Sequence, residues 1–287
     1  MGGKKEYIIK KALNNNVILA FDKRKGKEVV LVGKGIGFGK KEGQIVELEE
    51  KQIEKSFLAF EGDIRKEYYQ LISEIDIRII GVSEEIIAMA ESEFGPLNNH
   101  IHIALTDHIS FALDRIETGL EIHNPFIYEI KALYPKEFEM GERAAQKIKA
   151  QLGIDISESE MGFIALHIHS AKQSKKVGQT IKDTTFLMEL VNIVEEELLI
   201  DIDNSGLIYS RLINHLRTSI VRMEEERHIK NPLLNVIKEQ FSESYEIAIK
   251  IGDHIKKVKG LHVSEDELGY LALHIERIKE TEKCVTE

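Results

Sequence analysis

Four short apolar runs open the chain: "YIIKKAL" (7–13), "NVILAF" (16–21), "EVVLVG" (28–33) and "QIVEL" (44–48), all of β-forming character. Turn-forming stretches separate them, first Asn14-Asn15-Asn16 and then "DKRKGK" with Gly26. The pattern predicts a small antiparallel sheet ending near residue 60. So few residues bury little surface, so a second copy of the sheet is expected against it. From about residue 67 the apolar spacing turns helical and stays so.

The helical part is a duplication. "LTDHISFALDR" (105–115) and "LINHLRTSIVR" (212–222) set His108 against His215, an offset of 107 residues. "HNPFIYEI" (123–130) and "KNPLLNVI" (230–237) keep that offset, as do "GIDISESEMGFIALHIHSA" (153–171) and "GLHVSEDELGYLALHIERI" (260–278). Each copy carries two equivalent histidines, His108 with His167 and His215 with His274, 59 residues apart in both. Ser157 with Glu160, and Ser264 with Glu267, read as capping boxes that start a helix. His167 then follows Glu160 and Phe163 on one face, and His274 follows Glu267 and Tyr270. His108 shares its face with Ala112 and Arg115, and His215 shares its own with Ser219 and Arg222.

The expected fold class is therefore α+β: a small antiparallel β-sheet domain (1–60) followed by two homologous all-α helical-bundle domains (67–173 and 180–287). "QSKKVGQT" (173–180) is the expected linker.

Composition refines this picture. The 287 residues are 43% apolar, enough for real cores, with four prolines and no tryptophan. The single cysteine, Cys284, excludes an internal disulfide and suits a reducing cytoplasm. "MGGKKEYIIKK" lacks the apolar core of a signal peptide and no later run could span a bilayer, so a cytoplasmic location without membrane insertion is expected. The net charge of −10 conceals a basic head: residues 1–43 hold eleven Lys/Arg against four Asp/Glu. A polyanion partner for the head follows, with a solvated lysine-rich surface as the alternative.

The glycine-rich "GKGIGFGKK" (33–41) lacks the spacing and the Ser/Thr of a nucleotide-binding loop. Its glycines mark bulges and tight bends of a small sheet or let the backbone approach a ligand closely, and Phe38, between Gly37 and Gly39 and flanked by lysines, is then a candidate stacking platform for an RNA base. A neutral imidazole is a competent nucleophile near pH 7, and an arginine one or two turns away can pair with phosphate oxygens. That makes Arg115 and Arg222 the expected phosphate-pairing residues for His108 and His215. "HIHIALTDH" also offers His100, His102 and His108 to a metal, but histidines two apart on a helix diverge and the second copy lacks the extra pair. No catalytic constellation stands out, so neither an enzyme, a metal nor a cofactor is expected.

Together, "KALNNNVILAFD", "EVVLVGKGIGFGKK", "LTDHISFALDR", "GFIALHI" and "YLALHIERI" resemble the BglG/SacY family of bacterial transcriptional antiterminators across essentially the whole chain, nearest its glucose-type branch. The resemblance implies an RNA-binding co-antiterminator domain and two PTS regulation domains. It implies a homodimeric head that binds a leader-mRNA hairpin and prevents terminator formation. It also implies histidine phosphorylation by the sugar phosphotransferase system, through a glucose-type enzyme II and the phosphocarrier HPr. By motif, the RNA contacts fall at Lys11, Asn16, Gly33, Lys34 and Phe38, and the phosphoacceptors at His108, His167, His215 and His274. In the second copy Asn214 replaces the aspartate beside the histidine, so slower, modulatory phosphorylation is expected there. A phosphorelay or metal-binding enzyme with a basic docking module is the alternative.

Overall fold

The computed structural model describes residues 4–58 and 62–286, apart from the side chains of Leu58, Gly62 and 282–286. Cys284 has its side chain in that excepted stretch. The first half of the head is built from strands β1 (Lys5–Ala12), β2 (Val17–Asp22) and β3 (Lys27–Val32), and β4 (Ile45–Leu48) and β5 (Lys55–Leu58) complete one antiparallel sheet in the order β4-β1-β2-β3-β5. Asp22 makes the β2–β3 turn by accepting from the backbone N–H groups of Arg24 and Lys25, and Gly26 supplies the positive φ (64°) that closes it. The apolar runs of β2 and β3 are continuous because both faces are buried. Ile18, Ala20, Val29 and Leu31 pack under Ile36 on one side, while Val17, Leu19, Val30 and Val32 join a core with the helices on the other.

Eleven α-helices follow among the described residues. They are α1 (Gly62–Glu74), α2 (Ile77–Phe94), α3 (Ile101–Glu117), α4 (Ile127–Leu133), α5 (Pro135–Leu152), α6 (Glu158–Lys172), α7 (Val177–Leu198), α8 (Leu207–Glu224), α9 (Leu234–Gln240), α10 (Ser242–Lys259) and α11 (Glu265–Thr286). The duplication is visible in their order, since α3 to α6 recur as α8 to α11 at nearly the same offset. None is long and apolar enough to cross a membrane among the described residues.

The chain forms two units, residues 1–125 with 136–180 and residues 126–135 with 181–287. The sheet and most of the first repeat thus share a unit. Leu13, Val17 and Phe57 of the head belong to one buried cluster with Ile80, Ile86, Leu105, Met140 and Ile164. Helix α4 belongs to the second unit, where α8 caps it. Asn214 Nδ2 donates to the Ala132 carbonyl (3.1 Å) and Arg217 to that of Leu133 (3.1 Å), two of the orphan acceptors that end every helix. Tyr209 donates to the buried Glu129 beside them. Of the expected linker, residues 173–176 form a turn with Ser174 at φ 52°, and Val177 already begins α7.

Candidate RNA surface and histidine pairs

The asparagine turn and the glycine loop of the head are laced together by backbone bonds. Gly33 N–H donates to Asn16 O and Gly37 N–H to Asn15 O (2.9 Å each), while Asn16 Oδ1 accepts from Gly35 N–H at 3.0 Å. This brings Asn16, Gly33 and Lys34 onto one edge and leaves Phe38 standing out at 73% exposure. A ring so exposed contributes nothing to a core. Gly33 has a structural reason as well: a Cβ there would lie 2.0 Å from the Gln52 carbonyl oxygen. Lys11 lies apart from this lacing, with its ammonium 3.4 Å from the Ile72 carbonyl.

The same turn meets the first repeat at Glu85 of α2. Asn14 donates to this carboxylate at 2.8 Å, Lys147 at 2.7 Å, Gln151 at 2.8 Å and Asn16 more loosely at 3.3 Å. Burial alone would raise the pKa of Glu85. The hydrogen bonds from Lys147, Gln151 and Asn14 outweigh it and hold the group ionised. Gly81, one turn earlier, permits the approach, because a Cβ there would sit 2.6 Å from the Asn14 amide.

The two expected histidines of each repeat do meet. In the first, the His108 and His167 rings lie 4.9 Å apart at 32°, with Phe163 5.7 Å from His108. Ser157 caps α6 through Glu160 N–H at 3.4 Å, but the Glu160 carboxylate does not complete the box. It accepts from Arg115 at 2.8 Å and lies 3.2 Å from His108 Nε2. His167 Nδ1 is buried with no hydrogen-bond partner among the described residues. Desolvation first, and the charge of His108 second, push its pKa down to about 3. A cleft of about 660 Å³ opens beside it, lined by His100, Asp107, Lys175 and Lys176 among others. His102 turns away from these residues: its Nδ1 lies 2.8 Å from the buried Glu84, which also accepts from Tyr68.

In the second repeat the His215 and His274 rings stack at 3.5 Å and 18°. Glu267, the equivalent of Glu160, is taken up by Arg222 through two bonds of 2.8 and 2.7 Å, and Arg222 also donates to Ser219. His215 therefore has no carboxylate partner among the described residues and is exposed. Partial desolvation, then the charges of Arg222, Arg211 and Arg277, lower its pKa. His274 is pushed down to about 4 by burial, then by His215, Arg277 and Arg222. Asn214 has a structural task in this repeat, since it donates to both Ala132 O and Ser210 O, which an ionised aspartate could not do.

Sequence reasoning placed the histidines but missed Glu85 and the split in the roles of Glu160 and Glu267. Both glutamates carried a signal, the capping position, that pointed to a different role. It also missed Arg211 and Arg277, because Ala104 and Ser170 occupy their places in the first copy.

Comparison with known proteins agrees with this anatomy. Residues 7–64 match the CAT RNA binding domain, and residues 84–171 and 188–278 each match the PRD domain. The chain is 36% identical to the transcription antiterminator LicT of Bacillus subtilis over 274 residues, covering 94% of this chain and 98% of that protein. It is 34% identical to a beta-glucoside operon antiterminator of Dickeya chrysanthemi, covering 94% of this chain and 96% of that protein. Identity to protein GlcT of Staphylococcus saprophyticus is also 34%, over 97% of this chain and 99% of that one. A crystal structure of GlcT CAT-PRDI aligns with 58% of this chain and 98% of its own at 40% identity and a TM-score of 0.48. These antiterminators are regulators, not enzymes. A CAT head followed by two PRD repeats, each closing two histidines on one another, makes this chain a member of the BglG/SacY family of transcription antiterminators.

Proposed function

We propose that the chain acts as a homodimer on a leader-mRNA hairpin of a sugar phosphotransferase operon, and that phosphorylation of His108, His167, His215 and His274 sets its activity. The domains doing so are residues 1–60, 67–173 and 180–287. The carrying observation is the meeting of two histidines in each repeat at 4.9 and 3.5 Å, both pairs beside open cavities. A phosphoryl group adds about −1.5 to −2 charges, enough to reorganise either pocket. Its donors are the phosphocarrier HPr and an enzyme II of glucose type, the latter read from the wording of "LNNNV" and "GKGIGFGKK". A β-glucoside operon is the second reading, favoured by the equal identity to the Dickeya protein. Arg115 and Arg222 pair with phosphate only by exchanging Glu160 and Glu267 for it.

RNA is read by Lys11, Asn16, Gly33, Lys34 and Phe38. Asn16 gives up its loose contact with Glu85 when a nucleotide takes its amide. Phe38→Ala in the full chain should lose a stacking contact of about 1–3 kcal/mol without loss of stability. A gel shift with the leader hairpin at two salt concentrations, alongside thermal unfolding, measures both. Unchanged affinity would remove Phe38 from the RNA surface. Mass-spectrometric mapping after incubation with the phosphotransferase proteins tests the histidines directly.

A further inference from the structure

The second histidine pair sits in a cavity of about 140 Å³ between α8 and α11 that carries two guanidinium groups, where the cleft of the first repeat carries the ammonium groups of Lys175 and Lys176. From α8 it is lined by Ile208, Arg211 and His215, and from α11 by His274, Arg277 and Thr281. On each helix these residues lie three or four apart, so each row presents one face to the cavity. The offset of 107 sets Arg211 against Ala104 and Arg277 against Ser170. The first repeat therefore has neither guanidinium.

Two further differences point the same way. Arg211 and Arg277 have no carboxylate partner among the described residues, and no carboxylate lines the cavity. The first pair, by contrast, has Glu160 Oε2 3.2 Å from His108 Nε2, and its cleft carries Asp107 as well as Lys175 and Lys176. A carboxylate at that distance repels an incoming dianion. Two unpaired guanidinium groups attract one, and their planar donor sets match its oxygens.

We propose that Arg211 and Arg277 form a phosphoryl-oxyanion clamp over the His215–His274 pair, which makes this pair the preferred and longer-lived phosphoacceptor of the chain. The proposal rests on the reading that these histidines accept phosphate. The clamp reverses the expectation drawn from Asn214, because Asn214 is committed to capping α4 and does not set the charge of the cavity. In the transfer step, the N–P bond of a donor phosphohistidine breaks as the lone pair of a neutral imidazole nitrogen forms the new N–P bond. The donor ring keeps the bonding pair and takes up the proton released by the accepting ring. Both rings here are held neutral at pH 7, so the lone pair is free. The arginines are positioning residues: they touch the oxygens and leave the bonds to the rings.

The test labels the full chain with phosphoramidate, a small donor whose P–N bond breaks to release ammonia, and separately with phosphorylated HPr. Phosphohistidine is then mapped by peptide mass spectrometry. Wild type should label His215 or His274 ahead of His108 and His167 with both donors. Arg211→Ala/Arg277→Ala should cut that labelling about tenfold, the scale of lost charge-assisted hydrogen bonds, and shorten the lifetime of the label. Arg211→Lys/Arg277→Lys should restore part of it, and the unfolding midpoint should not move, because both arginines are exposed. Wild-type labelling of His215 or His274 by the double alanine variant overturns the clamp while leaving the acceptor reading intact. So does preferential labelling of the first pair. No labelling of any of the four histidines by either donor overturns both.

Discussion

Ile80→Ala is expected to destabilise the first unit by about 2–5 kcal/mol, the range for emptying a fully buried aliphatic site. Ile80 is completely buried on α2, in the cluster that joins Val17, Leu19, Val30 and Val32 of the sheet to Leu105, Met140 and Ile164 of the helices. The loss should therefore appear on both sides of that core. In native-state hydrogen exchange, amides of β2 and β3 should lose protection together with those of α3. The second unit shares none of these residues, and the amides of α8 and α11 should keep their wild-type protection. Deprotection confined to the helices would show that the sheet is held by its own inner face alone. RNA affinity should fall only at temperatures where the unit begins to open, which separates this variant from Phe38→Ala.

The second large effect concerns acid. Glu137, in the first turn of α5, accepts from His169 Nδ1 at 3.1 Å and from Lys172 Nζ at 2.7 Å, and its side chain is only 7% exposed. Burial by itself would raise its pKa, but these bonds bring it down to about 2. A carboxylate with a depressed folded-state pKa stabilises the fold above its unfolded value near 4.3, and the contribution disappears as pH falls towards 2. The shift corresponds to about 3 kcal/mol at neutral pH. Glu137→Gln should therefore be less stable than wild type by that order at pH 7, with the gap closing between about pH 4.5 and pH 2. Urea midpoints of the two proteins across that range measure the gap directly. A constant difference over the whole range would mean that the lost bonds, and not the ionisation of Glu137, account for the change.

The sheet was legible where a run of residues carried its own signal. β1 to β4 follow from apolar stretches between Asn and Gly turns, whereas β5 offers only Phe57 and Leu58 and exists because β3 has a free edge to pair. The histidines were legible through repetition, which fixes equivalent positions without any structure. The groups around them were not, because they depend on which helix faces which. Glu160 and Glu267 occupy the same place in the same pattern, yet one is shared between Arg115 and His108 while the other is held wholly by Arg222. Asn214 was read against Asp107, its sequence equivalent. Its actual partners are the Ser210 carbonyl one turn back and the Ala132 carbonyl on α4, about eighty residues away in the chain, and no local pattern announces the second. Glu85 was invisible for the same reason: its ligands come from the asparagine turn and from α5.

The assignment of α4 to the second unit has a topological consequence. The polypeptide passes between the units three times, at residues 125/126, 135/136 and 180/181, and not once at an interdomain tether. A protease that nicks the turn at 173–176 would cut one passage and leave the other two, both on the N-terminal fragment. That fragment would keep α4 docked on the C-terminal one through Tyr209, Asn214 and Arg217. The nicked protein should migrate as two bands under denaturing conditions and as one species in gel filtration. The two repeats, alike in sequence, are thus not interchangeable beads: the first has lent a helix to the second.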